Sequence, residues 1–104
     1  MAQDLDVVRH ELTSRIAALD ARARDARPAE LAQAVDEIRV IAHTAGLNPA
    51  VTVVHFIAAA LARGERGPGV HGWLQVLRDA VGAERQDTTA CDAFAAACSV
   101  RLAA

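Results

Sequence analysis

The sequence predicts a single all-α domain, a compact orthogonal or bundle-like array of about five helices. Apolar residues recur every three or four positions along most of the chain, the period of a helix with one buried face. All three prolines and most glycines fall between these periodic segments. No two segments show the alternating apolar pattern of a pair of β-strands. A chain of 104 residues has room for one hydrophobic core and one domain.

The first predicted helix spans about residues 4–25, and the second begins near residue 28. The first carries apolar residues at helical spacing between charged ones: Leu5, Val8, Leu12, Ile16, Leu19 and Ala23. Pro28 separates the two, because the residue before a proline avoids the α region whereas proline suits the first turn of a new helix. The second has the most regular apolar stripe in the chain: Leu31, Ala34, Val35, Ile38, Ile41, Ala42 and Ala45.

Four consecutive residues predict a sharp corner between the second and third helices. Gly46 can adopt the left-handed conformation that closes a helix, and Leu47 can pack back on the preceding turn. Asn48 is the predicted cap of the next helix, and Pro49 fits its first turn.

The third predicted helix, about residues 49–63, is apolar on almost every side. A strand competes for the β-branched residues 51–54, but the proline start and the alanine-rich continuation favour a helix. A helix apolar all round must be covered on most of its surface. We therefore expect its surface to be buried in the fold or used in association.

A glycine-rich loop at residues 64–69 and two more helices complete the prediction. The fourth helix ends at Gly82, predicted to be its C′ residue, after burying a stripe at helical spacing: Val70, Trp73, Leu74, Leu77 and Val81. Thr88 or Thr89 is the predicted cap of the last helix. One face of that helix carries Cys91, Phe94, Ala95, Cys98 and Leu102.

The two cysteines, Cys91 and Cys98, are predicted to be free thiols. They share a helix face, but the helical rise separates them by about 10.5 Å, which is beyond disulfide reach. Their spacing, without a neighbouring histidine, also does not fit a zinc site. No cofactor or metal is predicted.

Composition and charge narrow the classes of function. The formal net charge is −2, with positive and negative residues interspersed, so neither nucleic acid nor an anionic membrane is a predicted partner. The apolar run at residues 50–62 is shorter than the roughly 20 residues of a membrane span. The acidic start lacks the features of a secretory signal, so a cytoplasmic location is expected. The absence of lysine, with nearly a quarter alanine, indicates a GC-rich bacterial genome.

His43 is the candidate phosphoacceptor. The string Ile41-Ala42-His43-Thr44-Ala45-Gly46 resembles the Ala-His-Thr opening of the phosphoryl-accepting helix in histidine-containing phosphotransfer domains, which are all-α bundles of similar length. The resemblance covers about six residues and implies a phosphorelay module that accepts a phosphoryl group on His43. The sequence departs from the family pattern afterwards, because no lysine follows and Pro49 starts a new helix.

The corner at residues 45–49, followed by Val53, Val54, Phe56 and Ile57, also resembles the corner between the second and third helices of all-α chorismate mutases. The arginines and lysine with which those enzymes hold their dicarboxylate substrate do not accompany it, since this chain has no lysine and Pro28 cuts the first helix short. Shared helix-corner chemistry explains the likeness.

The leading functional hypothesis is a small bacterial interaction or regulatory domain that is not an enzyme. No complete catalytic set is recognisable, and apolar residues exceed what five short helices can enclose, which favours a homodimer or another protein partner. His55, Phe56, Phe94 and Cys98 are the candidate interface residues. A small-ligand pocket near His71 and Trp73, under the glycine loop, is a further alternative.

Overall fold

The computed structural model describes residues 4–103, and in that range it contains five α-helices and no strand. They are α1 (Leu5–Arg22), α2 (Pro28–Thr44), α3 (Asn48–Ala62), α4 (Pro68–Val81) and α5 (Thr88–Ala103). The all-α prediction and the number of helices are confirmed. Residues 1–3 lie outside the described range, so the predicted lack of a secretory signal rests partly on residues that are not described.

α3 lies at the centre, where other helices cover most of its apolar surface. It packs against α2, α4 and α5, whereas α1 covers the other side of α2 and α4. The described chain measures 39 × 26 × 16 Å, and its radius of gyration is 12.9 Å. Because packed helices lie about 8–10 Å apart, the shortest dimension accommodates two layers of helices.

The core is entirely apolar among the described residues. Helices α1 to α4 each contribute several residues at helical spacing, α5 contributes Cys98, and no polar or charged residue is buried. Trp73 of α4 is the largest fully buried side chain, and Leu12, Ile38, Leu47 and Ile57 surround the same core. Each amphipathic stripe identified in the sequence thus faces inward, because this orientation removes the most apolar surface from water.

The corner between α2 and α3 has the predicted shape but a different cap. Gly46 has a φ of +76°, and the N–H of the fully buried Leu47 donates to the carbonyl of Ala42 at 2.9 Å. The prediction for Asn48 is wrong. Leu47 occupies the N-cap position without a side-chain cap, and Asn48 Nδ2 instead donates to the Gln86 carbonyl at 3.0 Å. This bond ties the corner to the segment before α5.

Two other helix ends also differ from the prediction. Gly82 is the C-cap of α4 rather than its C′ residue, with a φ of −81° in the right-handed region. The cap of α5 is Asp87 rather than a threonine, since the Ala90 N–H donates to Asp87 Oδ1 at 2.9 Å. That bond, and then the Arg85 guanidinium, lower the pKa of Asp87 below its ordinary value.

Candidate functional site

The structure exposes an uncharged strip on α5, which we call the outer face of α5. It consists of five solvent-exposed side chains: Ala93, Ala96, Ala97, Val100 and Ala103. At 100° per residue they fall within an arc of about 120°. Val100 is 73% exposed, the highest value for a large apolar residue in the described chain.

The predicted interface residues of α5 lie on its opposite side. Cys98 is fully buried and Phe94 is half-buried against the core, so the face identified in the sequence is the one that packs on α3. Burial raises the pKa of the Cys98 thiol, with Arg101 opposing the shift. Both cysteines are free thiols, as predicted. Sequence periodicity identified the apolar face correctly, but only packing shows which face is left for a partner.

The other two candidate interface residues lie on α3. His55 is exposed, and Phe56 is half-buried against the core. His55 borders a shallow groove of about 220 Å³ between α2 and α3, which also includes Asp36 and Arg39. Because those two charged residues form an ion pair on the rim, at 2.8 Å between Arg39 Nε and Asp36 Oδ1, this groove is more polar than the outer face of α5.

His43 is solvent-exposed, as a phosphoacceptor must be. It lies in the last turn of α2, which ends at Thr44, and its carbonyl accepts the Gly46 N–H at 3.1 Å. The helix therefore does not continue beyond the histidine as it does in phosphotransfer domains. Phosphorylation of His43 stays a prediction.

His71 lies in a cleft, but Trp73 does not share it. The cleft has a volume of about 490 Å³ and lies between the end of α1 and the start of α4. His71 Nδ1 is 2.8 Å from Asp20 Oδ2, and Arg24 lines the same cleft. Nδ1 of His71 is thus held by Asp20, while the hydrogen bonds of the described residues leave Nε2 without a protein partner.

Trp73 is buried and belongs to a second group of residues at the other edge of α4. Its Nε1–H donates to Glu65 Oε2 at 2.8 Å, and the Arg101 guanidinium carbon is 5.4 Å from the indole centroid. The indole therefore connects the glycine loop to α5. The predicted pocket of a histidine and a tryptophan therefore separates into two places, because His71 and Trp73 point to different sides of α4.

A cleft of about 460 Å³, which we call the arginine cleft, lies beside this group. Its lining consists of Arg63, Gly64, Glu65, Arg101 and Leu102. Arg63 Nη1 donates to the Leu102 carbonyl at 2.9 Å, and Arg101 Nη2 donates to the Gly69 carbonyl at 3.4 Å. Within residues 4–103, neither arginine pairs with a carboxylate.

Sequence reasoning found His71 but none of the other residues that line these two clefts. Asp20 and His71 are 51 positions apart, and Arg63 lies 39 positions from Leu102. No local motif links residues so distant in the chain. Besides His71, the loop offers two glycines of positive φ, Gly64 and Gly67, and they indicate a turn rather than a ligand.

Two kinds of site are not seen in the described chain. No group of three or more histidine, cysteine, aspartate or glutamate side chains within residues 4–103 is arranged to hold a metal ion. None of the five helices combines the length and the apolar character needed to cross a bilayer.

The fold and these surfaces define a small all-α domain with one uncharged helix face and two open clefts. Comparison of the chain with models of known protein families, with curated proteins and with solved structures gives no significant match.

Proposed function

We propose that this protein is an interaction domain that forms a symmetric homodimer through the outer face of α5. The observation that supports it best is the strip itself, which is apolar, uncharged and exposed along most of a 16-residue helix. Contiguous apolar surface on a soluble protein marks an interaction site more often than isolated apolar residues do.

The side chains of the strip favour a second copy of the chain as the partner. Four of the five are alanines, so the face is flat and offers no recess for a large anchoring side chain. Two such faces can approach closely, because the distance between helix axes depends on the side chains in contact. In an antiparallel pair with twofold symmetry, Ala96 would meet Ala97 of the second copy and Ala93 would meet Val100.

The size of the strip predicts weak association. A helix of 16 residues gives a contact about 24 Å long and about 10 Å wide, or roughly 240 Å². A standard interface buries roughly 800 Å² on each partner. We therefore expect a dimer that forms and dissociates with concentration, in the range of transient interfaces.

The test is sedimentation velocity over a concentration series for the unaltered protein and for Val100→Arg. A guanidinium at the centre of the strip would be desolvated without a partner, so the variant should remain monomeric at every concentration. Val7→Arg is the matched control, because Val7 is 63% exposed on α1 and lies outside the strip.

Three results decide the proposal. A concentration-dependent dimer that Val100→Arg abolishes and Val7→Arg preserves supports it. A strict monomer at the highest concentration contradicts it. Equal loss in both variants would also contradict it, because that result would place the contact elsewhere or reflect net charge alone.

The cleft beside His71 favours a second candidate function, the binding of a small molecule. The supporting observation is that Asp20 holds Nδ1 of an exposed histidine at the edge of a 490 Å³ cleft that also contains Arg24. The probe is a mixture of small soluble fragments, followed by the NMR signals of the His71 ring. Shifts that Asp20→Asn weakens and His10→Gln leaves intact would support binding, and an unresponsive His71 ring would exclude it for that library.

A further inference from the structure

The arginine cleft holds two arginines and one carboxylate, Glu65, which forms an ion pair with neither arginine among the described residues. Arg63 follows the end of α3 and Arg101 lies in the last turn of α5, 38 positions later, yet both line the same cleft of about 460 Å³. Arginine has five N–H donors, and the hydrogen bonds to Leu102 and Gly69 engage one donor of each. The remaining donors are available to a ligand.

Both guanidiniums are also held in position. Arg63 is fixed by the Leu102 carbonyl, and Arg101 lies above the indole of Trp73 while it contacts the Gly69 carbonyl. These anchors are uncharged, so they orient the two side chains without cancelling their charge. A pre-oriented pair of guanidiniums is well suited to carboxylate or phosphate oxygens, which accept parallel N–H donors.

Gly72 leaves room for the Arg101 guanidinium because it has no side chain. A Cβ atom on Gly72 would overlap the Arg101 guanidinium. Gly72 lies within α4, where glycine has a lower helix propensity than alanine. α4 therefore carries its least helix-favouring type of residue other than proline at the position where the Arg101 side chain lies against it.

We propose that the arginine cleft binds a small molecule through its phosphate or carboxylate group, with Arg63 and Arg101 as the anion-binding residues. This site is separate from the outer face of α5, and its existence does not depend on dimerisation. Glu65 forms the acidic wall of the cleft. Because Trp73 holds one of its oxygens, Glu65 limits where the anion can lie and weakens binding of a simple inorganic anion.

The experiment is a titration with inorganic phosphate, and separately with acetate, against chloride at equal ionic strength. Trp73 is the only tryptophan in the chain, so its fluorescence reports directly on the position of Arg101. Amide NMR shifts of Gly64 provide a second readout that does not require Arg101. Saturable changes with phosphate but not acetate would assign the site to phosphate compounds, and the reverse would assign it to carboxylates.

Variants test the assignment of residues. Arg63→Gln and Arg101→Gln should each weaken binding about tenfold or more, because each removes charge-assisted hydrogen bonds. Arg78→Gln is the matched control, since Arg78 is exposed at the far end of α4 and does not line the cleft. Glu65→Gln should tighten binding several-fold while the amide still accepts the Trp73 N–H.

Gly72→Ala separates binding from folding. It should weaken binding by displacing Arg101, yet leave the melting temperature unchanged or higher, because alanine favours the helix. The proposal is overturned if phosphate and acetate both act like chloride in both readouts. It is also overturned if Arg78→Gln weakens binding as much as Arg63→Gln does.

Discussion

The two most apolar helices, α3 and α5, have nearly the same length and opposite environments. α3 buries residues along its whole length: Pro49, Ala50, Val53, Val54, Ile57 and Ala60. α5 buries Cys98 alone. The difference follows from the neighbours, because α3 has helices on three sides whereas α5 rests mainly on α3.

This comparison shows that apolar composition does not determine how much a helix contributes to stability. The hydrophobic contribution scales with the apolar area removed from water, and alanines that face solvent remove little. α5 is instead fastened near its ends by the bond from Asn48 to the Gln86 carbonyl and by the bond from Arg63 to the Leu102 carbonyl. We infer that α5 is the helix most easily detached from the core.

The largest effect is expected in α3. Ile57→Ala should lower the free energy of unfolding by about 2–5 kcal/mol, because Ile57 is fully buried and its truncation leaves a cavity among surrounding helices. Urea denaturation followed by circular dichroism measures the change. A loss comparable to that of an exposed residue would show that α3 is not at the centre of the fold.

Cys98 is expected to have the next largest effect, as the only buried residue of α5. Cys98→Ser should cost about 1–3 kcal/mol, because a hydroxyl would replace the thiol in an apolar setting without an evident partner. Cys98→Ala is the control for lost volume and should cost less. Hydrogen exchange should show the loss of protection concentrated in α5, and a uniform loss over all helices would contradict its independence.

The cap at Asp87 predicts a smaller, pH-dependent effect. Since the pKa of Asp87 is lowered in the folded protein, its charge stabilises the fold above the ordinary value of 3.8, and this contribution is lost as the pH falls below that value. Asp87→Asn keeps a capping acceptor without the charge. The urea midpoint of the variant should lie below that of the unaltered protein near neutral pH and converge with it in acid. A difference that persists unchanged in acid would show that the charge is not responsible.

The smallest effect is expected on the outer face of α5. Val100→Ala should change the free energy of unfolding by less than about 0.5 kcal/mol, because Val100 is 73% exposed. Val53→Ala in α3 is the matched substitution, and it should cost about 1.5–3 kcal/mol, since Val53 is fully buried. Both are measured at a concentration at which the protein is monomeric. Equal losses would show that Val100 is buried within the monomer.

Much of the fold could be predicted because its signals are local. The apolar spacing of α1 and α2, and the glycine and proline at residues 46 and 49, act within one or two turns of the chain. Capping was less predictable. Asp87, Thr88 and Thr89 are all suitable caps, and the choice among them depends on where the packed helix begins.

The candidate sites could be predicted only in part. His43 and His55 are exposed, as their proposed roles require, but Trp73 and Cys98 lie in the core. Periodicity distinguishes an apolar face from a polar one. On an alanine-rich helix such as α5 it does not indicate which of two uncharged faces is covered.

The sequence by itself determined that the chain forms about five helices, where most of them end, and which apolar stripes form the core, because backbone sterics and hydrophobic spacing act between near neighbours. The tertiary structure alone decided that α5 leaves an alanine face exposed and that Arg63 and Arg101 meet in one cleft. Those features depend on contacts between residues far apart in the chain, such as Arg63 and Leu102 at 39 positions, which only the packing of complete helices brings together.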